Sequence, residues 1–325
     1  MTSVQTPPEQ TPPEQTPPAQ RNRWPLVAGA SAAVLGGAVV GFLLFGPRAP
    51  VDQPSTSPSP SPTATLNADL LSNRLTVLLL GLDSNEGRRA NGKGVNSDTI
   101  MLASVSADQS EVTLISVPRD TVDVPLPDGS TWSQKINAIY SVNGVQPMVD
   151  AVSSLLQVEI DGYVTIDMGD IITLVDAVDG VRVKPKAPLV DAHLDLDINA
   201  GRQLLDGKTA EGYVRTRVDS DFVRAARQQE VILDLVSRLI DPETDVDILT
   251  LLDSLDSFDT DLALDQIPTL LEIAKRAQSA KVTKQVLDPQ DGFITQAGDL
   301  GDGRGYVLVP DIEAMRRFAA KHLAE

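Results

Sequence analysis

The sequence predicts one α/β or α+β domain standing behind a single N-terminal membrane-spanning helix. Three observations carry this. From Leu75 onward, apolar runs of strand length alternate with segments whose apolar residues recur at helical spacing. Trp24 to Phe45 is a run of 22 residues without a charge. Between the two lies a Pro/Ser-rich stretch with no means of building a core.

Composition removes several functions at once. The 325 residues carry 45 acidic and 27 basic side chains, a formal net charge of −18. Nucleic acid is therefore not an expected partner, because the phosphate backbone rewards a positive footprint. There is no cysteine, hence no disulfide, thiolate nucleophile or Cys-bound metal. The two histidines, His193 and His322, are too few and too far apart for a His-based zinc site, and no serine sits in a G-x-S-x-G element.

Residues 1–23, with TPPEQ, TPPEQ and TPPAQ between Thr6 and Gln20, form a disordered, cytoplasmic Pro-rich tail. Residues 24–45 would span roughly 33 Å as a helix, against a hydrocarbon core of about 30 Å. A cleaved signal peptide is the alternative, but Gly46-Pro47-Arg48 offers no small-x-small site. Arg21 and Arg23 before the run orient the N-terminus inward and everything after it outward. Residues 46–66 are a linker, and 67–325 the extracytoplasmic domain.

Within that domain Leu75 to Leu82 is a buried strand ending at Asp83. Ser97-Asp98-Thr99 opens a second strand, and Glu111 to Val117 is a third, closing on Pro118-Arg119-Asp120-Thr121. Charged side chains thus gather at strand ends, where α/β folds display their sites. Lys135 to Tyr140 begins a helical stretch, and Pro147 to Leu156 is another. Tyr163 to Ile166 is a strand, Ile171 to Val178 a helical stripe, and Gly180 to Val183 a strand. Beyond Ile240 come a short helix within Asp241 to Asp265, a helix at Ile267 to Ala277, strands at Lys281 to Leu287 and Tyr306 to Val309, and a last helix to Leu323.

Tyr213 to Gln229 is the most informative stretch. YVRTR alternates, so an extended reading turns Arg215 and Arg217 to one side. Asp219-Ser220-Asp221 supplies N-cap chemistry for a helix on which Arg224 and Gln228 share a face, with Arg227 between them, while Val231, Ile232, Leu235, Val236 and Leu239 anchor its other face. Guanidiniums at an electropositive helix start suit phosphate. Surface ion pairs between arginines and aspartates are the plain alternative for this segment alone.

Taken together, GLD (Gly81 to Asp83), SDTIML (Ser97 to Leu102), SVPRDT (Ser116 to Thr121), KINAIY (Lys135 to Tyr140), YVRTR (Tyr213 to Arg217) and D-x-x-R-x-x-R-Q-Q (Asp221 to Gln229) resemble the LytR-CpsA-Psr (LCP) family in identity and order. The resemblance implies an LCP-like fold, a central mixed β-sheet flanked by helices behind one signal anchor. It implies a phosphotransferase that moves a glycopolymer from a polyprenyl-pyrophosphate carrier onto a peptidoglycan acceptor through a phosphodiester bond. By the same resemblance Asp83, Asp98 and Arg119 are catalytic, and Asp83 and Asp98 hold Mg²⁺. Arg119, Lys135, Arg215, Arg217, Arg224 and Gln228 bind the pyrophosphate, and the prenyl tail lies in an apolar tunnel. Mg²⁺ chemistry agrees, since one or two carboxylates plus phosphate oxygens suffice for it. So does phosphoryl transfer, which needs positioning and charge neutralisation above all.

The family commonly has loop arginines near positions where this chain has Asn85 and Asn96; Arg88 or Arg89 could substitute. Asp120 and Asp221 are both candidates for the general base. Two other readings use the same residues: a pyrophosphatase that hydrolyses the carrier, and a non-catalytic carrier-lipid binding protein.

Overall fold

The strand β1, Leu75–Leu82, is buried on both sides. Leu75 and Val77 pack into one apolar cluster, Leu78, Leu80 and Leu82 into another, which is why the run is continuously apolar rather than alternating. The computed structural model describes residues 66–83, 95–244, 246, 248–255 and 258–323. The expected tail, membrane anchor and linker up to residue 65, and the loop residues Asn85, Arg88 and Arg89, lie outside the described residues. Among the described residues no helix is long and apolar enough to cross a membrane.

After β1 come β2 (Ser97–Val105), β3 (Glu111–Ser116) and the helix α1 (Val145–Leu156). Then follow β4 (Gly162–Asp167), α2 (Met168–Ala177), α3 (Gly207–Arg215) and the long α4 (Asp221–Leu239). The chain continues through β5 (Asp259–Thr260), α5 (Ile267–Arg276) and β6 (Lys281–Val286). It ends in a hairpin of β7 (Ile294–Asp299) and β8 (Tyr306–Pro310), and α6 (Ile312–Leu323). Six strands form one sheet in the order β5-β4-β1-β2-β3-β6. It is mixed: β1 runs parallel to β4 and antiparallel to β2, and β3 antiparallel to β2 and parallel to β6.

Helices cover both faces, as expected. On one, Leu174 of α2, Tyr213 of α3, Leu235 and Leu239 of α4 and Leu270 of α5 close a core over β1 and β4. On the other, Met148, Val152 and Leu155 of α1 meet Met315 and Ala319 of α6. The helix starts follow local chemistry. The Asp167 side chain makes a capping box with Asp170 at the head of α2, and Ser220 Oγ accepts from Val223 N (3.1 Å) to start α4.

Two expectations are corrected. YVRTR is not extended: Tyr213 to Arg215 is the last turn of α3, and only from Thr216 does the chain leave the helix. Asp206 caps α3, and Ala210, Tyr213 and Val214 are buried at helical spacing, so tertiary burial overrides the local alternation. The strand β7 falls in a region given no element from sequence, because Thr295, Gln296 and Ala297 are all exposed and leave no apolar period.

Candidate active site

Between Gly81/Thr99 and Leu82/Ser97 the pairing of β1 with β2 slips by one, leaving Asp98 without a cross-strand partner. Such a bulge re-aims a side chain at a sheet rim, here that of Asp98. Asp83 follows directly on the neighbouring strand, its N–H donating to Asn96 O at 3.0 Å. Beyond β3, a turn closed by Thr121 Oγ1 on Pro118 O (2.7 Å) presents Arg119. Backbone bonds from Ile136 N to Thr121 O and from Asn137 N to Arg119 O strap the Lys135 segment beside it, and Ser97 N donates to Asn137 O. Four motifs separated in sequence thereby converge.

The side chains form one ionic network. Arg119 Nη1 donates to both oxygens of Asp98 (2.9 and 2.8 Å), and Arg217 Nη2 to one of them (2.7 Å). Lys135 Nζ pairs with Asp120 at 2.7 Å. Asp221 stands 3.2 Å from Arg217, 3.4 Å from Arg224 and 3.5 Å from Arg119. Four cations thus surround three carboxylates. Burial alone would raise the Asp98 carboxyl, but the charge and hydrogen bond of Arg119 and the charges of Arg217 and Arg224 outweigh it and hold Asp98 below the usual carboxylate range. Arg224, 4 % exposed, is pushed down to about 10 by burial and by the like charge of Arg217. Among the described residues, Thr99 Oγ1, Arg119 Nε and Arg224 Nε are buried in this pocket without a hydrogen-bond partner, as is the carboxylate oxygen Asp221 Oδ1. Excess positive charge and unused donors and hydroxyl at one point are what an oxyanion requires.

This charged pocket, lined by Asp98, Thr99, Arg119, Asp221, Arg224 and Gln228, adjoins a cavity of about 80 Å³. Leu79, Met101, Val164, Leu174, Val231 and Leu235 line that cavity. Thr99 and Gln228 belong to both walls. A charged pocket and an apolar cavity sharing one boundary fit a ligand with an anionic head and an apolar tail.

Of the residues singled out from sequence, Asp98, Arg119, Lys135, Arg217 and Arg224 come together. Gln228 stands at the apolar boundary, its Nε2 on Val214 O (3.1 Å), and Asp83 lies at the adjoining strand end. Arg215 does not join them: its guanidinium turns back one helical turn to Glu211 (2.5 Å). Arg227 is structural, donating to the carbonyls of Tyr213 (2.9 Å) and Thr216 (2.5 Å) and to Asp219 (2.5 Å), which holds the turn carrying Arg217. Sequence reasoning passed over Thr99 and Gln229. The latter, 1 % exposed, ties α4 to Ser116 Oγ and to Gln285 O, both at 2.9 Å. Its only signal was the second Gln of the R-Q-Q motif. Among the described residues no group of three or more His, Cys, Asp or Glu is placed to hold a metal ion.

The sequence model of the LytR_cpsA_psr family matches residues 49–315. The chain is 38 % identical over 181 residues to the probable cell wall biosynthesis protein LcpB of Corynebacterium glutamicum, covering 51 % of this chain and 42 % of that protein. It is 31 % identical over 247 residues to TagU of Enterococcus faecalis, a polyisoprenyl-teichoic acid–peptidoglycan teichoic acid transferase, covering 74 % of this chain and 76 % of the relative. The crystal structure of Bacillus subtilis TagV superposes with a TM-score of 0.63 at 25 % identity, over 78 % of this chain and 98 % of that one.

Proposed function

The chain belongs to the LytR_cpsA_psr family, and from that premise we propose that it is a membrane-anchored phosphotransferase moving a glycopolymer from a polyprenyl-pyrophosphate carrier onto peptidoglycan. The observation that carries this reading is the shared boundary at Thr99 and Gln228 between the cationic pocket and the apolar cavity. A prenyl pyrophosphate has that polarity division. The transfer named for the Enterococcus faecalis relative supports the same assignment.

In this reading Arg119, Arg217 and Arg224 exchange their aspartate contacts for pyrophosphate oxygens, and Lys135 adds charge at the same rim. The first prenyl units lie against Val231 and Leu235. A sugar hydroxyl of the acceptor attacks the sugar-proximal phosphorus, and the bond from that phosphorus to the bridging oxygen breaks. Its electron pair leaves with the prenyl phosphate, and the product is a phosphodiester. Asp120 and Asp221 are the carboxylates at the pocket able to take the hydroxyl proton. Their pairing with Lys135 and with the arginines positions them.

Mg²⁺ suits the donor chemistry of Asp83 and Asp98: both offer hard oxygens at adjoining strand ends, and Asp98 is held ionised by its guanidiniums. When bound there, the ion would neutralise pyrophosphate charge as it develops on the leaving group. The apolar run at residues 24–45 would hold this domain at the outer membrane surface, where a prenyl carrier presents its polymer.

The test is to incubate the full-length chain in detergent with a prenyl-pyrophosphate-linked saccharide, Mg²⁺ and peptidoglycan fragments, reading products by mass spectrometry. A phosphodiester-linked product that disappears in Asp98→Ala and Arg119→Ala supports the transferase. Prenyl phosphate and free sugar phosphate without any linked product identify a pyrophosphatase, and binding without product a carrier-binding protein.

A further inference from the structure

A second cleft, of about 180 Å³, adjoins the charged pocket and contains none of the apolar-cavity residues. It meets the charged pocket at Pro118, Arg119, Asp221 and Phe222, whereas the apolar cavity meets that pocket at Thr99 and Gln228. The three spaces therefore run in sequence: apolar cavity, cationic pocket, outer cleft. One wall of the outer cleft is Tyr306 and Leu308, alternate residues of β8, and the opposite wall is Ser220 to Phe222 at the head of α4.

Tyr306 is 53 % exposed, and among the described residues its hydroxyl has no hydrogen-bond partner. An open aromatic normally sits on a surface free to move, but this one is held. Leu308 N donates to Asp120 O and Val122 N to Leu308 O, both at 3.0 Å, so β8 is tied to the segment that carries Arg119 and Asp120. Arg304, two residues before Tyr306, donates to Asp123 (3.0 Å) and to Ser133 O (2.8 Å). The backbone of β8 is thus anchored, and it places the Tyr306 ring on the cleft that Asp120 and Asp221 also line.

Aromatic rings beside carboxylates match one ligand chemistry. A pyranose has an apolar C–H face that lies on a ring and equatorial hydroxyls that donate to carboxylates. Resting on the phosphotransfer reading, the order of the three spaces also gives a direction. In-line displacement requires attacking and leaving oxygens on opposite sides of phosphorus. Prenyl phosphate departs toward the apolar cavity, so the nucleophile arrives from the outer cleft. We infer that this cleft is a saccharide subsite with Tyr306 as its stacking platform, and that the sugar it takes is the acceptor's.

Stacking that is equal in ground and transition states changes KM and leaves kcat alone. In the full-length chain, Tyr306→Ala should raise KM for a disaccharide-peptide fragment of peptidoglycan about ten-fold, with kcat and the donor KM within about two-fold. Tyr306→Phe, which keeps the ring, should stay within about two-fold of wild type throughout. Saturation-transfer NMR with the same fragment needs no turnover. It should show transfer to the sugar C–H protons in wild type and in Tyr306→Phe, and a loss in Tyr306→Ala. Fragment binding indifferent to Tyr306→Ala, or a KM rise confined to the donor, would overturn the assignment. An absence of transferred product with intact, Tyr306-dependent fragment binding would count against the transferase reading and leave the subsite standing.

Discussion

Arg224 is buried, yet it donates to the backbone carbonyl of Asp98 (3.1 Å) rather than to the carboxylate, which Arg119 and Arg217 already occupy. Its nearest anion, Asp221, is 3.4 Å away. A buried guanidinium so short of anions gains most from an incoming pyrophosphate. Inorganic pyrophosphate should therefore raise the Tm of wild type, by an amount that grows with the logarithm of its concentration. Arg224→Met should lose most of that increase while its unliganded stability stays within about 1 kcal/mol of wild type, since an apolar replacement removes a poorly compensated buried charge. Equal ligand-induced shifts in the two proteins, by thermal denaturation, would refute a role for Arg224 in anion binding.

The apolar cavity can be tested apart from the charged pocket. Val231, 5 % exposed, faces it from the middle of α4. Val231→Phe should fill part of the 80 Å³ and change stability by less than about 1.5 kcal/mol, because added volume enters existing space. The variant should bind inorganic pyrophosphate as wild type does and bind a prenyl pyrophosphate at least ten-fold less tightly, about 1.4 kcal/mol. Calorimetric titration with both ligands decides this. A uniform loss for both would mean that the substitution disturbs the pocket rather than the cavity.

How far the sequence could be read depended on the physics of each signal. The run LTVLLLGL announced a doubly buried strand because both faces of β1 are covered, and Ser220 announced a helix start because its hydroxyl has one local job. Asp98, Arg119, Lys135, Arg217 and Arg224 were legible as separate motifs, although only the Asp98 bulge and the backbone straps explain their meeting. The extended reading of YVRTR failed because its alternation is a local pattern, while burial of Tyr213 and Val214 is a tertiary fact. The apolar cavity was expected only through the family resemblance and not from periodicity, since Val231 and Leu235 have the same spacing whether they meet side chains or empty space. The strand β8 was legible at Tyr306 to Val309, but that Tyr306 and Leu308 wall a cleft beside Arg119 is set by long-range backbone bonds to the Asp120–Val122 segment, which no local pattern announces.

The turn that carries Arg217 should show a specific acid sensitivity. Burial raises the Asp219 carboxyl, but the hydrogen bond from Arg227, the Ser220 N–H and the charge of Arg227 together bring it below its ordinary value of 3.8. A carboxyl lowered in the folded state binds fewer protons there than when unfolded, so its stabilisation is fully present above 3.8 and is lost as pH falls through the folded value. The difference in stability between wild type and Asp219→Asn should hence be constant from pH 7 to about 5 and shrink below about 4. Urea unfolding across that range measures it. A difference that widens on acidification would reverse the sign assigned to the Asp219–Arg227 pair.

Gly207 sets how closely α3 lies on α2. A Cβ built there would stand 2.4 Å from Ile172 O and 2.8 Å from Asp176 Oδ1, and backbone cannot yield as a flexible side chain can. The Gly207 N–H also donates to Asp176 Oδ1 at 2.7 Å, so displacement would break the contact that seats the helix. Gly207→Ala should cost about 1–3 kcal/mol of stability by overpacking, despite alanine's better helix propensity. Because α3 delivers Val214 O to Gln228 and leads into Arg217, the same variant should weaken pyrophosphate binding at temperatures where it remains folded. Chemical denaturation and a pyrophosphate titration on one preparation check both. A variant as stable as wild type would show that α3 can shift on α2 without penalty, and full affinity in a destabilised variant would uncouple that packing from the pocket.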